Sequence, residues 1–224
     1  LTLLTDLYEL TMMQGYFEKQ NNEVVIFDMF FRENPDNAGY SVMAGLEQVI
    51  EYIKGLNFSY EDVDYLRSLG IFSDDFLHYL SGFHFSGSIY AIPEGTVIFP
   101  REPLLKVIAP VMEAQLVETA ILNLINHQSL IATKPSRVVY AAQGDGIMEF
   151  GLRRAQGPDA GIYGARAAII GGCVGTSNVL AGQMFDVPVM GTHAHSWIMS
   201  FPDEYTAFKA YADLYPDACT LLVD

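Results

Sequence analysis

The sequence predicts an α/β protein, and three observations carry that expectation. After residue 145, short apolar runs alternate with helix-forming segments. IMEFG (147–151), GGCVGTS (171–177), VPVMGT (187–192) and ACTLLVD (218–224) are separated by helix candidates near 159–170, 178–185 and 203–214. Strands that alternate with crossover helices build a parallel sheet. Ahead of them, residues 83–108 (FHFSGSIYAIPEGTVIFPREPLLKVI) alternate apolar residues with Gly and Pro turns, the pattern of a small antiparallel layer. Between the two, VMEAQLVETAILNLINHQSLIATK has helical periodicity and no Gly or Pro, and reads as one long helix. The expected organisation is therefore an N-terminal α+β unit over 1–109, a connecting helix over 110–135 and a parallel α/β unit over 136–224. A closed parallel barrel needs about eight strands. The sequence reaches only its fourth at Asp224, so further strands are expected downstream.

The earlier elements follow from local pattern. TDLYELTMMQGYFEKQ spaces Leu7, Leu10, Thr11, Gln14 and Phe17 as a helix does, with Thr5 or Asp6 as N-cap. EVVIFDMFFRE is a strand-like run, and NPDNAG after it is a turn. LEQVIEYIKGLN and YEDVDYLRSLG are short helices, each closed by a glycine.

Composition narrows the function classes. Half of the 224 residues are hydrophobic, which argues for a packed core and against disorder. A formal charge of −15 argues against a nucleic-acid or anionic-membrane surface, since both require clustered Lys and Arg. No apolar segment approaches the ~20 residues of a membrane span, and LTLLTDLYEL has neither the basic region nor the apolar run of a signal peptide. Cys173 and Cys219 lie in apolar settings with no CxxC, and read as reduced thiols of a cytoplasmic protein.

In α/β sheets, sites gather at the carboxyl ends of strands. Those ends supply Phe150, Arg153 and Arg154 from the first run, Thr176, Ser177 and Asn178 from the second, Thr192, His193 and His195 from the third, and Asp224 from the fourth. Five of the twelve Lys and Arg residues (Lys134, Arg137, Arg153, Arg154, Arg166) fall between 134 and 166, against three acids. Guanidinium forks bind phosphate or carboxylate, so an anionic substrate is one explanation and pairing with surface acids the other. His193 and His195 admit three readings. They are a metal pair completed by Asp224, as in a metal-dependent barrel hydrolase. Alternatively, one is a nucleophile or base beside the arginines. Or both are loop residues that hold backbone groups.

Three stretches, in this order and spacing, resemble nicotinate phosphoribosyltransferases: LLTDLYELTMMQGYF, EFGLRRAQGPDAG and GTHAHSWIMSF. The likeness runs over essentially all of the chain. It implies the type II phosphoribosyltransferase architecture, an incomplete α/β barrel with a β-rich N-terminal domain, in a homodimer with shared active sites. The implied reaction joins nicotinate to phosphoribosyl pyrophosphate, with coupled ATP hydrolysis and Mg2+, in NAD salvage. His195 matches the residue that ATP phosphorylates, which leaves His193 as support and no protein-bound metal. Thr192 and Tyr8 match positions that contact nicotinate, with Tyr8 coming from the other subunit. Phe150 and Arg153 match the aromatic and the arginine of the base pocket, and Arg32 an arginine that reaches phosphoribosyl pyrophosphate across the dimer. Ser177 stands where a nicotinamide-using relative has an aspartate, and a hydroxyl there suits the acid rather than the amide. An inactive binding or dimerisation fragment is the other class that this chain could represent.

Overall fold

The computed structural model describes residues 1–223. Helix α1 (Leu7–Glu18) opens the fold and buries Glu9, Leu10 and Met13. Asp6 occupies the N-cap position without capping it, because its carboxylate accepts the Thr119 hydroxyl at 2.7 Å instead. Strand β1 (Val24–Met29) alternates outward and inward residues. It is followed by the short β2 (Ser41–Val42) and by helices α2 (Leu46–Lys54), α3 (Tyr60–Ser68) and α4 (Asp74–Ser81). Ser59 and Asp62 close α3 with a reciprocal capping box, and the Ser73 hydroxyl accepts the Phe76 N–H at the start of α4.

Strands β3 (Ser88–Ala91), β4 (Val97–Ile98) and β5 (Leu105–Pro110) supply the expected antiparallel layer. β5 is central, in the order β1-β5-β3, and β2 pairs with β4 as a separate ribbon. The inward faces of these strands meet α1–α4 in one apolar core that contains Met13, Val49, Leu66, Phe76, Leu80 and Leu105. The layer is smaller than a β-rich domain implies, since the four helices hold more of this region than its strands do.

The long connecting helix differs from its prediction in two ways. It is broken at Val117 into α5 (Val111–Leu116) and α6 (Glu118–Ala141). The backbone N–H of Thr119 donates to the Glu9 carboxylate at 3.0 Å, which takes it out of the helical ladder at the break. α6 then continues past residue 135, with Pro135 inside it. Helix α7 (Pro158–Ile170) lies against α6. At the end of α7, a Cβ on Gly171 would stand 2.5 Å from the Ala132 carbonyl, so this close approach requires glycine.

Beyond α6 the chain turns to parallel pairing. Strands β6 (Met148–Glu149) and β7 (Gly175–Thr176) form a parallel ladder with α7 as the crossover. Helix α8 (Val179–Phe185) leads to Val189, which bridges in parallel to Thr176. Helices α9 (His195–Met199) and α10 (Glu204–Leu214) follow. Of the four predicted strands, two form a ladder and 187–192 contributes one bridge. Residues 218–223 are irregular, and Asp224 lies outside the described residues. An apolar run becomes a strand only with a partner alongside, and the Leu222 N–H donates instead to the His193 ring. The described residues close no barrel. None of their helices is long and apolar enough to cross a membrane.

Candidate active site

The register of the parallel strands decides which side chains meet. Glu149 pairs with Thr176, and Thr176 with Val189. The next residues along, Phe150, Ser177 and Met190, therefore share one level at the carboxyl edge of the sheet. The Ser177 N–H donates to the Glu149 carbonyl at 3.0 Å, which fixes that level between the first two strands. Phe150 exposes 44 % of its surface there. It lines a groove of about 500 Å³ between α6, α7 and the turn at Leu152–Arg154, with Lys134 and Arg154 as its cationic residues. Arg153 lies on the same turn and is exposed.

After the Val189 bridge the chain presents its histidines, and the structure separates them. His193 is buried between aromatic rings, 5.1 Å from Tyr211 and 5.5 Å from Phe208 between centroids. Its Nε2 accepts the Leu222 N–H at 3.2 Å, which leaves the neutral ring's proton on Nδ1, 3.4 Å from the Ala194 carbonyl. Both nitrogens are thus engaged, and His193 is not poised as a metal ligand. His195 is exposed and opens α9, directly after Ala194 as N-cap. The Trp197 indole N–H donates to the Ala207 carbonyl at 3.0 Å and ties α9 to α10. The Thr192 hydroxyl donates to the His193 carbonyl at 3.0 Å in the loop that leads into α9. Among the described residues, no group of three His, Cys, Asp or Glu side chains is placed to hold a metal ion.

Tyr8 and Arg32 are not brought to this edge. Tyr8 lies on α1 with its hydroxyl 3.3 Å from a Glu118 carboxylate oxygen and 3.5 Å from one of Glu9. Partial burial, then the charges of Glu118 and Glu9, push its pKa up, so the phenol stays protonated. Arg32 is exposed in the loop after β1. Arg166 takes the other explanation open to the cationic group. Its guanidinium is buried and pairs with Glu94 at 2.6 Å and with Glu47, with Gln128 at 3.1 Å, so pairing with acids accounts for this member of the cationic group. One residue at the edge was hidden among the acids. Glu149 accepts the Thr176 hydroxyl at 2.6 Å, and its place as the last residue of a strand was the signal.

Comparison with known proteins accounts for this arrangement. Residues 3–126 match the nicotinate phosphoribosyltransferase N-terminal domain, and residues 146–218 match the nicotinate phosphoribosyltransferase family. The chain belongs to the nicotinate phosphoribosyltransferase family. It is 49% identical over 222 residues to nicotinate phosphoribosyltransferase pncB2 of Mycobacterium tuberculosis, covering 99% of this chain and 48% of that protein. The Bacillus subtilis nicotinate phosphoribosyltransferase is 48% identical over 225 residues, covering 100% and 46%. The chain thus spans about half the length of the curated relatives it matches. Among solved structures, human nicotinic acid phosphoribosyltransferase superposes with a TM-score of 0.82 at 38% identity, over 89% of this chain and 41% of that one. A nicotinate-nucleotide pyrophosphorylase from Pyrococcus furiosus superposes at 0.79 and 27% identity, over 97% and 48%. The Ser177 edge and the His195 loop both fall within the second family match.

Proposed function

We propose that this chain carries the nicotinate end of a nicotinate phosphoribosyltransferase site, within an incomplete α/β barrel of the type II phosphoribosyltransferase kind. The observation that carries the reading is the parallel register. It puts Phe150 and Ser177 at one level of the sheet edge, one bridge away from the Thr192–His195 loop. A pyridine ring stacks on Phe150. The Ser177 hydroxyl donates to its carboxylate, the Thr192 hydroxyl joins it on leaving the His193 carbonyl, and Arg153 or Arg154 supplies positive charge. The exposed positions of Tyr8 and Arg32 away from this edge fit a homodimer in which a second copy contributes both.

In the reaction, the C1–pyrophosphate bond of phosphoribosyl pyrophosphate breaks with its electron pair on pyrophosphate. The nicotinate ring nitrogen then bonds to C1. That step needs positioning and stabilisation of charge more than a protein nucleophile. His195 serves the energy coupling. A neutral ring nitrogen attacks the γ-phosphorus of ATP, ADP leaves, and water later cleaves the P–N bond to release phosphate. Mg2+ would reach this site on the phosphates of the substrates, whose charge it would offset, since no group of three His, Cys, Asp or Glu side chains among the described residues is placed to hold it. The two free thiols, Cys173 and Cys219, accord with a cytoplasmic enzyme.

The test is label transfer in the full-length protein. His195→Ala is expected to abolish ATP hydrolysis and the acid-labile phosphate label, yet to leave some ATP-independent synthesis of nicotinate mononucleotide. His193→Ala should keep the label. A label that persists without His195 and vanishes without His193 would reverse the assignment, and stoichiometric zinc on both would revive the hydrolase.

A further inference from the structure

Glu149 ends β6, and no chemical step proposed above consumes it. Its carboxylate nevertheless has a hydrogen-bond partner on each oxygen. Oε2 accepts the Thr176 hydroxyl at 2.6 Å, and Oε1 accepts the Gly151 N–H. The Glu149 carbonyl accepts from Ser177. We propose that Glu149, acting through Thr176, is a positioning residue for nicotinate, because it sets how Phe150 and Ser177 stand relative to each other. The proposal rests on the reading of this edge as the nicotinate pocket.

The geometry runs outward from that carboxylate in two directions. Along its own strand it holds the turn that follows Phe150. A Cβ at Gly151 would stand 2.9 Å from Oε1, so any side chain there would push the carboxylate off its partner. Across the sheet it holds Thr176, which is fully buried. The Thr176 hydroxyl donates to Glu149 and accepts the Asn178 N–H at 3.0 Å, so it is satisfied on both sides of Ser177. The Asn178 side chain accepts the Ala181 N–H at 3.1 Å and donates to the Gly161 carbonyl at 3.1 Å on α7. Leu152 seats on the same glycine, where a Cβ would meet its Cδ1 at 2.6 Å. Both arms of the latch therefore end on one residue of α7. Hydrogen bonds to an ionised carboxylate are roughly twice as strong as neutral ones, which suits a joint between strands only two residues long.

The experiment measures KM for each substrate in the full-length enzyme. Thr176→Val removes the hydroxyl and keeps the volume. It should raise KM for nicotinate about tenfold, with kcat and KM for phosphoribosyl pyrophosphate within about twofold. Thr176→Ser should restore the wild-type value. Glu149→Gln should raise the nicotinate KM as well, and the double variant should be no worse than the poorer single one, because both break the same joint. An unchanged nicotinate KM in Thr176→Val, an equal rise for both substrates, or additive effects in the double variant would each overturn the latch. If Thr176→Val does not fold, Glu149→Gln against Thr176→Ser decides by the same readout. A wild-type enzyme that makes no nicotinate mononucleotide would instead defeat the pocket reading itself.

Discussion

Phe76 in α4 has no exposed surface, whereas Phe150, one residue past β6, exposes 44 % of its own. The two rings mark two ways of holding structure. Around Phe76, the rings of Phe17 and Phe72 each lie 5.8 Å away, inside an apolar core that draws on α1–α6 and on the β1-β5-β3 sheet. Around Phe150 the strands are two residues long, and the buried apolar cluster nearby is small: Ala132 and Ala167 with Val42 and Ala44. That sheet edge is held by hydrogen bonds among Glu149, Thr176 and Asn178. A ring enclosed on all sides by close packing has no face left for a ligand, whereas a ring at an exposed sheet edge does.

The largest expected effect tests this contrast directly. Phe76→Ala should cost about 4 kcal/mol of unfolding free energy, read from urea titration, since it opens a cavity in a close-packed core. Phe150→Ala should stay within about 0.5 kcal/mol and instead weaken nicotinate binding. A comparable stability loss at both positions would erase the distinction.

Charged residues sharpen it next. Arg166→Ala should cost about 3 kcal/mol, because it leaves Glu94 half-buried without its ion pair. Arg153→Ala, at an exposed site, should not measurably destabilise. The pH dependence follows from Glu94. Burial opposes its charge, but the Arg166 hydrogen bond and charge, with the N–H groups of Gly45 and Leu46, outweigh burial and hold its pKa below the usual value. A lowered folded pKa contributes stability that is present above the unfolded value of about 4.3 and is lost as pH falls through the folded one. Wild type should therefore lose stability below about pH 4, and Arg166→Ala should flatten that loss. Parallel acid profiles for the two proteins would remove the pair from the account.

The smallest effect concerns selectivity. Ser177→Asp sets a carboxylate at the half-buried edge, where it should cost nicotinate about 2 kcal/mol, or about thirtyfold in kcat/KM. Nicotinamide use should fall much less. Equal losses for acid and amide would take Ser177 out of the specificity argument.

Much of this was legible in the chain. The alternation after residue 145 placed β6, α7, β7 and α8, and strand ends named Phe150, Ser177 and Thr192 as edge residues. Helix α4 was passed over, because hydrophobic periodicity is weak over eight residues, although Ser73 ahead of Asp74 and Asp75 is an N-terminal signal. The break at Val117 was not legible, because nothing local announces that Glu9, far back in the sequence, will take the Thr119 N–H.

Local pattern by itself determined which segments favour helix or strand, because periodicity and capping act between near neighbours in sequence, but it could not decide whether 218–223 would find a strand partner. It could not assign the two histidines or the arginines. Arg153 and Arg166 have the same chemistry, yet one is exposed and the other is buried among Glu47, Glu94 and Gln128. His193 and His195 differ by two positions, yet only His193 lies between Tyr211 and Phe208 and accepts from Leu222. Those partners come from distant stretches of chain. Burial and hydrogen bonding decide what an ionisable side chain can do, and the tertiary structure alone determines both.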